Sequence, residues 1–478
     1  MKDLVHTEPR SSRVRAAPRG RVPPWWAARL PGVGRAAFVA AVLAVAPWLT
    51  GCGGHEARTL KMRTALDVGD ARGAIKALNE ELDVASDKEL PKDIQGDNAL
   101  LVLNRGSIQQ GLAQFDLSKR DFEAADKAID MLDLARNAGD SIGEYVFSGS
   151  SGKYAAPPYE KLMINTLNMI NYLEQHDLNG ARVEARRLSV MHKYYRDNLR
   201  EEDSPVLGLG SMLAGFTFEK SGEVDEALRY YDESLAFTGF SSLGASVRRL
   251  ASIGNYRSPR LKALLEGGEP PPPEDDSGEV LFVVGYGRVP HKVAERIPIG
   301  LALTYFASAM SPNDVAQANQ LAAQGLVTWI NFPTLAPGQG KYDVPGVRLD
   351  GKWVQLEEAV DVDREVRKEW KKIEGKIIVS AITRMITRVA VGQGIQAAAG
   401  RDNVVGILGS LAAQATLTAL DTPDTRSWET LPARIAVARV RLPPGRHSLD
   451  IDARGWRRTQ EVMVEKNGWA VVSLMALR

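Results

Sequence analysis

The chain holds 478 residues and a single cysteine, Cys52. It closes the tetrad Leu49-Thr50-Gly51-Cys52, directly behind an apolar run from Ala36 to Trp48. A thiolate is a strong nucleophile, and the small neighbours Gly51 and Gly53 leave room around it for a bulky acyl donor and a peptidase. This is the pattern of a bacterial lipobox. There the cysteine accepts a diacylglyceryl group and becomes the acylated first residue after cleavage. One acyl chain holds a protein on a bilayer only marginally, at ~0.8 kcal/mol per buried methylene, whereas two or more hold firmly. With Cys52 acylated, no thiol remains for a disulfide or a sulfur-ligated metal.

Two other segments carry residue types suited to recognition. In Asp424-Thr425-Arg426-Ser427-Trp428 a guanidinium stands beside an indole, with hydroxyl and carboxylate groups on either side. Such a set can present a ligand-recognition edge; it can equally form a corner in which Arg426 pairs with Asp424 and Trp428 plugs the core. Arg182 and Arg186 lie four apart on a helical stretch over 178–197 and share a face, with Arg187 beside them. They suit an acidic partner, or form a solvated face with Glu184.

Other chemistry finds no support in the residue pattern. The six histidines, at 6, 55, 176, 192, 291 and 447, make no HExxH or comparable pair. No G-x-S-x-G elbow occurs. "FSGSSGKYAAPPY" fails as a phosphate loop, because Phe147 stands where the first glycine belongs and Tyr154 follows Lys153. "GQGIQAAAG" follows a helical pattern rather than a strand, against a dinucleotide site. No carboxylate pair stands out as a general acid and base. The expectation is a protein without catalysis, cofactor or metal. A ligand-binding or cell-envelope enzyme activity in the C-terminal half is the alternative.

The elements around these residues set the address. Arg10, Arg13, Arg15, Arg19, Arg21, Arg29 and Arg35 precede the apolar run, the layout of a secretory signal over residues 1–51. The run is too short to span a bilayer, which takes ~20 residues. Gly53, rather than Asp, follows the cysteine, and by the sorting rule of enteric bacteria this implies the outer membrane. The expected location is therefore the periplasmic face of a Gram-negative outer membrane. Sixty Lys+Arg against 59 Asp+Glu leave no polyelectrolyte character, so nucleic acid is not an expected partner.

From 52 to 265 the apolar positions recur at three and four residues, which predicts an all-α domain. In "GFTFEKSGEVDEALRYYDES" the residues Gly215, Phe218, Gly222, Val224, Ala227 and Tyr231 fall at tetratricopeptide spacing. Partial matches occur around Ala74, Ala125 and Ala181, at intervals of 51, 56 and 46 when Ala227 is included, so an irregular solenoid is expected. Its concave groove would hold an envelope protein. "EGGEPPPPEDDSG", 266–278, reads as a Pro-rich acidic linker.

The segment 279–478 reads as an α+β domain. It opens with a buried strand at Val280–Val284, and 313–330 looks helical. A hairpin follows around Asp350-Gly351, then a long amphipathic helix over 361–391. Residues 392–420 read as a Gly/Ala-rich helical hairpin, and 433–476 as a small antiparallel β meander of four strands, similar to PEGA-type modules of bacterial surface proteins.

Three stretches, "PPYEKLMINTLNMINYLEQHDLNGARVEARRL", "GEVLFVVGYGRVPHKVAERIPI" and "DTRSWETLPARIAVARVRLPPG", carry a wider likeness. On them the chain resembles a family of bacterial envelope lipoproteins with a tetratricopeptide-like N-terminal half and an α+β C-terminal domain. The resemblance implies an architecture and an address but no activity. It also implies partners among envelope proteins, peptidoglycan-synthesis or export machinery included.

Overall fold

The computed structural model describes residues 54–131, 154–199, 205–237, 241–266, 268, 276–323, 329–339, 343–399, 423–453 and 456–478. The expected signal segment 1–51, Cys52, most of the expected 266–278 linker and residues 400–422 lie outside these.

The N-terminal half is a run of antiparallel helix pairs: α1 (His55–Asp67) with α2 (Ala71–Glu81), α3 (Asp97–Gly111) with α4 (Phe115–Ala128), α5 (Pro158–Glu174) with α6 (Leu178–Tyr194), and α7 (Pro205–Lys220) with α8 (Val224–Leu235). All four pairs are joined by the same turn. A residue in the left-handed region, Gly69, Ala113, His176 or Gly222, ends the first helix. The next residue's N–H bonds back five positions, as Asp70 does to Ala65, Gln114 to Gln109, Asp177 to Tyr172 and Glu223 to Phe218. This is a Schellman-type stop, which satisfies carbonyls that a helix end would leave bare. Asp70 and Asp177 then cap the second helix by accepting from Gly73 and Gly180 N–H, at 2.8 and 2.9 Å.

These turns correct the repeat alignment. The residue four after each cap is Ala74, Ser118, Ala181 or Ala227, so Ser118 and not Ala125 is the second equivalent, and the spacings are 44, 63 and 46. Serine replaces the expected small apolar residue at that position, which hid it. Two further helices, α9 (Ser241–Ile253) and α10 (Pro259–Glu266), close the helical half.

Beyond them come β1 (Gly278–Tyr286), β2 (Lys292–Pro298), α11 (Ile299–Phe306), α12 (Pro312–Ala323), β3 (Trp329–Leu335), β4 (Gly346–Leu349), β5 (Lys352–Val354) and β6 (Glu357–Asp361). The long helix α13 (Val362–Ala399) precedes β7 (Arg434–Leu442), β8 (Gly445–Ala453), β9 (Trp456–Val464) and β10 (Trp469–Ala476). One sheet has the order β10-β1-β7-β6, with β10 parallel to β1; a second has the order β9-β8-β4-β5. The strands β2 and β3 pair by themselves.

Period-two alternation sets the layers. Val280, Phe282, Val284, Ala436, Ala438, Val472 and Leu474 meet Val347, Leu349, Leu449, Ile451, Val462 and Val464 of the second sheet. The alternate residues Leu281, Val283, Ile435, Val437, Val471 and Met475 join the core of the helical half. The first sheet is thus the middle layer between helices and a second sheet, and β1 is buried along its whole length.

Four expectations change. The strands in 433–476 exist but do not form a meander. β7 and β10 belong to the middle sheet, while β8 and β9 pair in the outer one. β10 is apolar on both faces and needs cover on both, whereas β8 and β9 alternate and keep one face wet. The helix predicted over 361–391 runs on through Ala399, so the hairpin predicted to begin at 392 does not begin there. Gly392 and Gly394 weaken a helix by only ~1 kcal/mol each and do not stop it. Helix α12 ends at Ala323 and Trp329 already opens a strand, against the helical reading of 313–330. Finally, Gly54–Arg478 is one compact unit with a cluster spanning helices and sheet, so 266–278 marks a change of structure type rather than a gap between separately folded bodies. The Asp350-Gly351 hairpin forms as predicted, with positive φ at both residues.

Candidate functional site

The inner helices of the array, α3, α5 and α7, are buried on nearly every side. They touch β10, β10 and β6 respectively, so the chain's own sheet covers the face on which a concave groove was expected. Residues 423–433, an irregular segment ahead of β7, also bond to α1, α3 and α5.

Thr425 Oγ1 accepts from Glu56 N–H at the start of α1 (3.2 Å). The Arg426 guanidinium forks onto the Asp424 carboxylate at 2.9 and 2.7 Å, reaches towards Asp97 (3.9 Å) and lies over the Tyr154 ring (5.7 Å). The Trp428 indole N–H donates to Ser107 Oγ (3.0 Å), its backbone N–H to Glu160 (3.2 Å), and its ring meets the Phe122 edge at 5.9 Å. Glu429 accepts from Thr59 Oγ1 (2.8 Å) and Arg63 Nη1 (2.9 Å). Asn104 Oδ1 accepts both the N–H and the hydroxyl of Thr430, each at 2.9 Å.

Asp424, Arg426 and Trp428 are therefore brought together, but inside the protein; Arg426 and Trp428 are buried rather than presented at an edge. The corner reading of this segment is the one the geometry takes. Burial acts on the Asp424 carboxyl to raise its pKa, yet Arg426 holds it below the usual carboxylate range. Burial also pushes the Glu160 and Glu429 carboxyls up, against the pull of their hydrogen bonds. His55 lies 3.5 Å from Glu429, and burial lowers its pKa to about 3; burial likewise lowers His291 to about 4.

A second charged cluster lies where α7 meets the middle sheet. Arg439 on β7 bonds Glu279 (2.6 Å) and Glu219 and approaches Tyr231 Oη (3.1 Å), while Lys220 pairs with Glu219 (2.9 Å) and Glu279. Both cations sit over the Phe216 ring at 5.2 Å. Burial opposes ionisation of Glu219, but Arg439 and Lys220 hold its carboxyl far below the ordinary range. Burial lowers Lys220 to about 8.

Arg182 and Arg186 lie elsewhere, on α6. Arg182 binds Glu223 (2.7 Å) and Asn179 (2.5 Å), tying one helix pair to the next, and Arg186 lies over Phe218 (5.7 Å). Arg187 pairs with Glu184 at 2.9 Å. Among the described residues, no three His, Cys, Asp or Glu side chains are grouped to hold a metal ion.

The sequence reading missed Ser107, Asn104, Glu160, Glu429 and Arg439. For Asn104, Ser107 and Glu160 a signal was present: polar residues interrupt largely apolar helices, and a buried polar group needs a partner. The partner's identity is what local pattern withholds. No protein-family model matches the chain, and no curated protein does.

Proposed function

We propose that the chain is a lipid-anchored scaffold of the bacterial cell envelope, held at the periplasmic face of the outer membrane through acylated Cys52, and that it binds an envelope protein without chemistry of its own. The observation that carries this reading is the Leu49-Thr50-Gly51-Cys52 tetrad behind its basic and apolar leader. The four helix pairs belong to a tetratricopeptide-like array. Support comes from the shared turn and from Gly106 and Gly215, where a Cβ would come within 2.9 Å of Phe122 and 2.6 Å of Tyr231. Small residues at those points let paired helices close up.

The expectation of a free groove gives way, in this reading, to the outer face of the array, because the sheet and residues 423–433 lie against the inner helices. On α6, Val183, Arg186, Arg187 and Val190 are exposed at helical spacing. The test is crosslinking in intact cells from photoreactive residues at positions 183 and 190, followed by mass spectrometry of the captured band. One recurrent envelope protein is expected from both positions; capture no different from that of a site on the β8–β9 hairpin would overturn the binding role. Loss of Cys52→Ala from the membrane fraction tests the anchor separately.

A further inference from the structure

We infer that the exposed face of α11 and the adjoining end of the β2–β3 pair form a contact surface for a lipid bilayer. The inference rests on the lipid anchor proposed above. Two observations lead to it: how short the tether is, and what chemistry the neighbouring surface offers.

One residue, Gly53, separates Cys52 from Gly54. From Gly54 on, the chain is fastened. Ala57 and Arg58 N–H bond the Gly54 carbonyl, Glu56 N–H bonds Thr425, and His55 is buried. Two residues reach no more than about 7 Å. An acylated sulfur at 52 therefore allows the body no long leash.

The Glu56 carboxylate accepts from Ala294 N–H on the outer edge of β2, at 2.8 Å. From there β2 runs four residues to Pro298, a rise of about 13 Å, and enters α11. Ile299, Ala302 and Leu303 of that helix pack into the core beneath α13. Leu301 and Tyr305 turn the other way, with 45% and 68% of their surface exposed, and Trp329, across from Pro298 in the β2–β3 ladder, is 44% exposed. From Ile297 to Met310 no residue carries a charge. The cation that borders the patch is Arg296, whose guanidinium lies 5.6 Å over the Trp329 ring.

A single exposed leucine means nothing. Here tryptophan and tyrosine flank an uncharged apolar helix face, and an arginine sits where the polar rim begins. Trp and Tyr favour the headgroup level of a bilayer, and arginine pairs with its phosphates. The tether delivers this surface to a bilayer before any other occupant. A second copy of the chain, or its own residues 400–422, would bury the same side chains without needing the anchor.

The test uses the full chain, lipidated in a Gram-negative host and reconstituted into phosphatidylethanolamine–phosphatidylglycerol vesicles containing brominated acyl chains. Intact mass first shows whether Cys52 carries acyl groups. With acyl groups present, bromolipid quenching of tryptophan fluorescence should fall by about twofold in Trp329→Phe. It should fall likewise in a Leu301→Asp, Tyr305→Asp double variant whose melting curve is unchanged. Equal quenching in all three proteins overturns the contact surface and leaves the anchor standing. Missing acyl groups overturn the anchor, and the contact surface with it. A dimer of the Cys52→Ala protein that Tyr305→Asp dissolves assigns the face to a second copy and likewise overturns the inference.

Discussion

The indole N–H of Trp428 donates to the hydroxyl of Ser107 at 3.0 Å, across 321 residues of sequence. With Phe122 against its ring, Trp428 fastens the segment ahead of β7 into the second helix pair. Truncating such a buried aromatic costs about 3–5 kcal/mol. Trp428→Phe fills most of the space but loses the hydrogen bond, for about 1–2 kcal/mol. Urea unfolding should rank wild type, Trp428→Phe and Trp428→Ala in that order. Equal midpoints for wild type and Trp428→Ala would mean the segment is not held this way.

Arg439 neutralises two buried carboxylates at once. Replacing it with methionine leaves Glu219 and Glu279 facing Lys220 alone, and breaking a buried ion pair from one side costs about 3–5 kcal/mol. The Glu219 carboxyl is depressed in the native protein, so its contribution is present above its unfolded pKa and is lost as pH falls towards the folded one. Without Arg439, burial pushes the Glu219 carboxyl up and it takes up a proton more readily. The penalty of Arg439→Met should therefore be largest near pH 8 and shrink towards pH 5 in chemical-denaturation curves. A pH-independent penalty would contradict the ion-pair account.

Glu174 closes α5 against β10 by accepting from Ser473 N–H. Burial raises its pKa from 4.5 to about 7, with the Ser473 hydrogen bonds opposing. The native protein thus binds this proton more tightly than the unfolded chain, and stability from this group declines as pH rises from 4.5 to 7. Glu174→Gln should match wild type near pH 4.5 and exceed it by roughly 1–3 kcal/mol at pH 8. Thermal melts at both pH values decide it; a variant less stable than wild type at pH 8 would reverse the assignment.

At Gly215 an added methyl would lie 2.6 Å from the Tyr231 ring, whereas at Gly300 it would meet nothing within 4 Å. Gly215→Ala should lower stability by about 1–3 kcal/mol through overpacking of α7 on α8. Gly300→Ala, on an exposed helix position, should be neutral or gain up to about 1 kcal/mol. Calorimetry on the two single variants compares them directly.

The helical half was legible because its apolar period and its turn residues are local. Ala113 and His176 were the exceptions, non-glycines in left-handed turns that only the backbone reveals. The β-strands were legible as strands, down to the Asp350-Gly351 turn, but not as partners. Whether β7 continues into a hairpin with β8 or leaves for another sheet depends on what covers its second face, and that cover comes from helices some 200 residues away. The same limit applied to Asp424, Arg426 and Trp428. Their types were conspicuous, yet only the inner faces of α3 and α5 decide that they point inward. Charge bookkeeping along the chain could not foresee Arg439 between Glu219 and Glu279, since each comes from a different element.

The last strand, Trp469–Ala476, lies parallel to β1 and packs on α3 and α5. A ribosome making this chain releases the hairpins first, with their greasiest sides bare, and supplies the strand that shields them only after some 300 residues more. Long-range closure of this kind is slow and leaves intermediates prone to clumping. Until Trp469–Ala476 arrives those faces have no cover, and a chain in which that strand is scrambled should clump rather than fold.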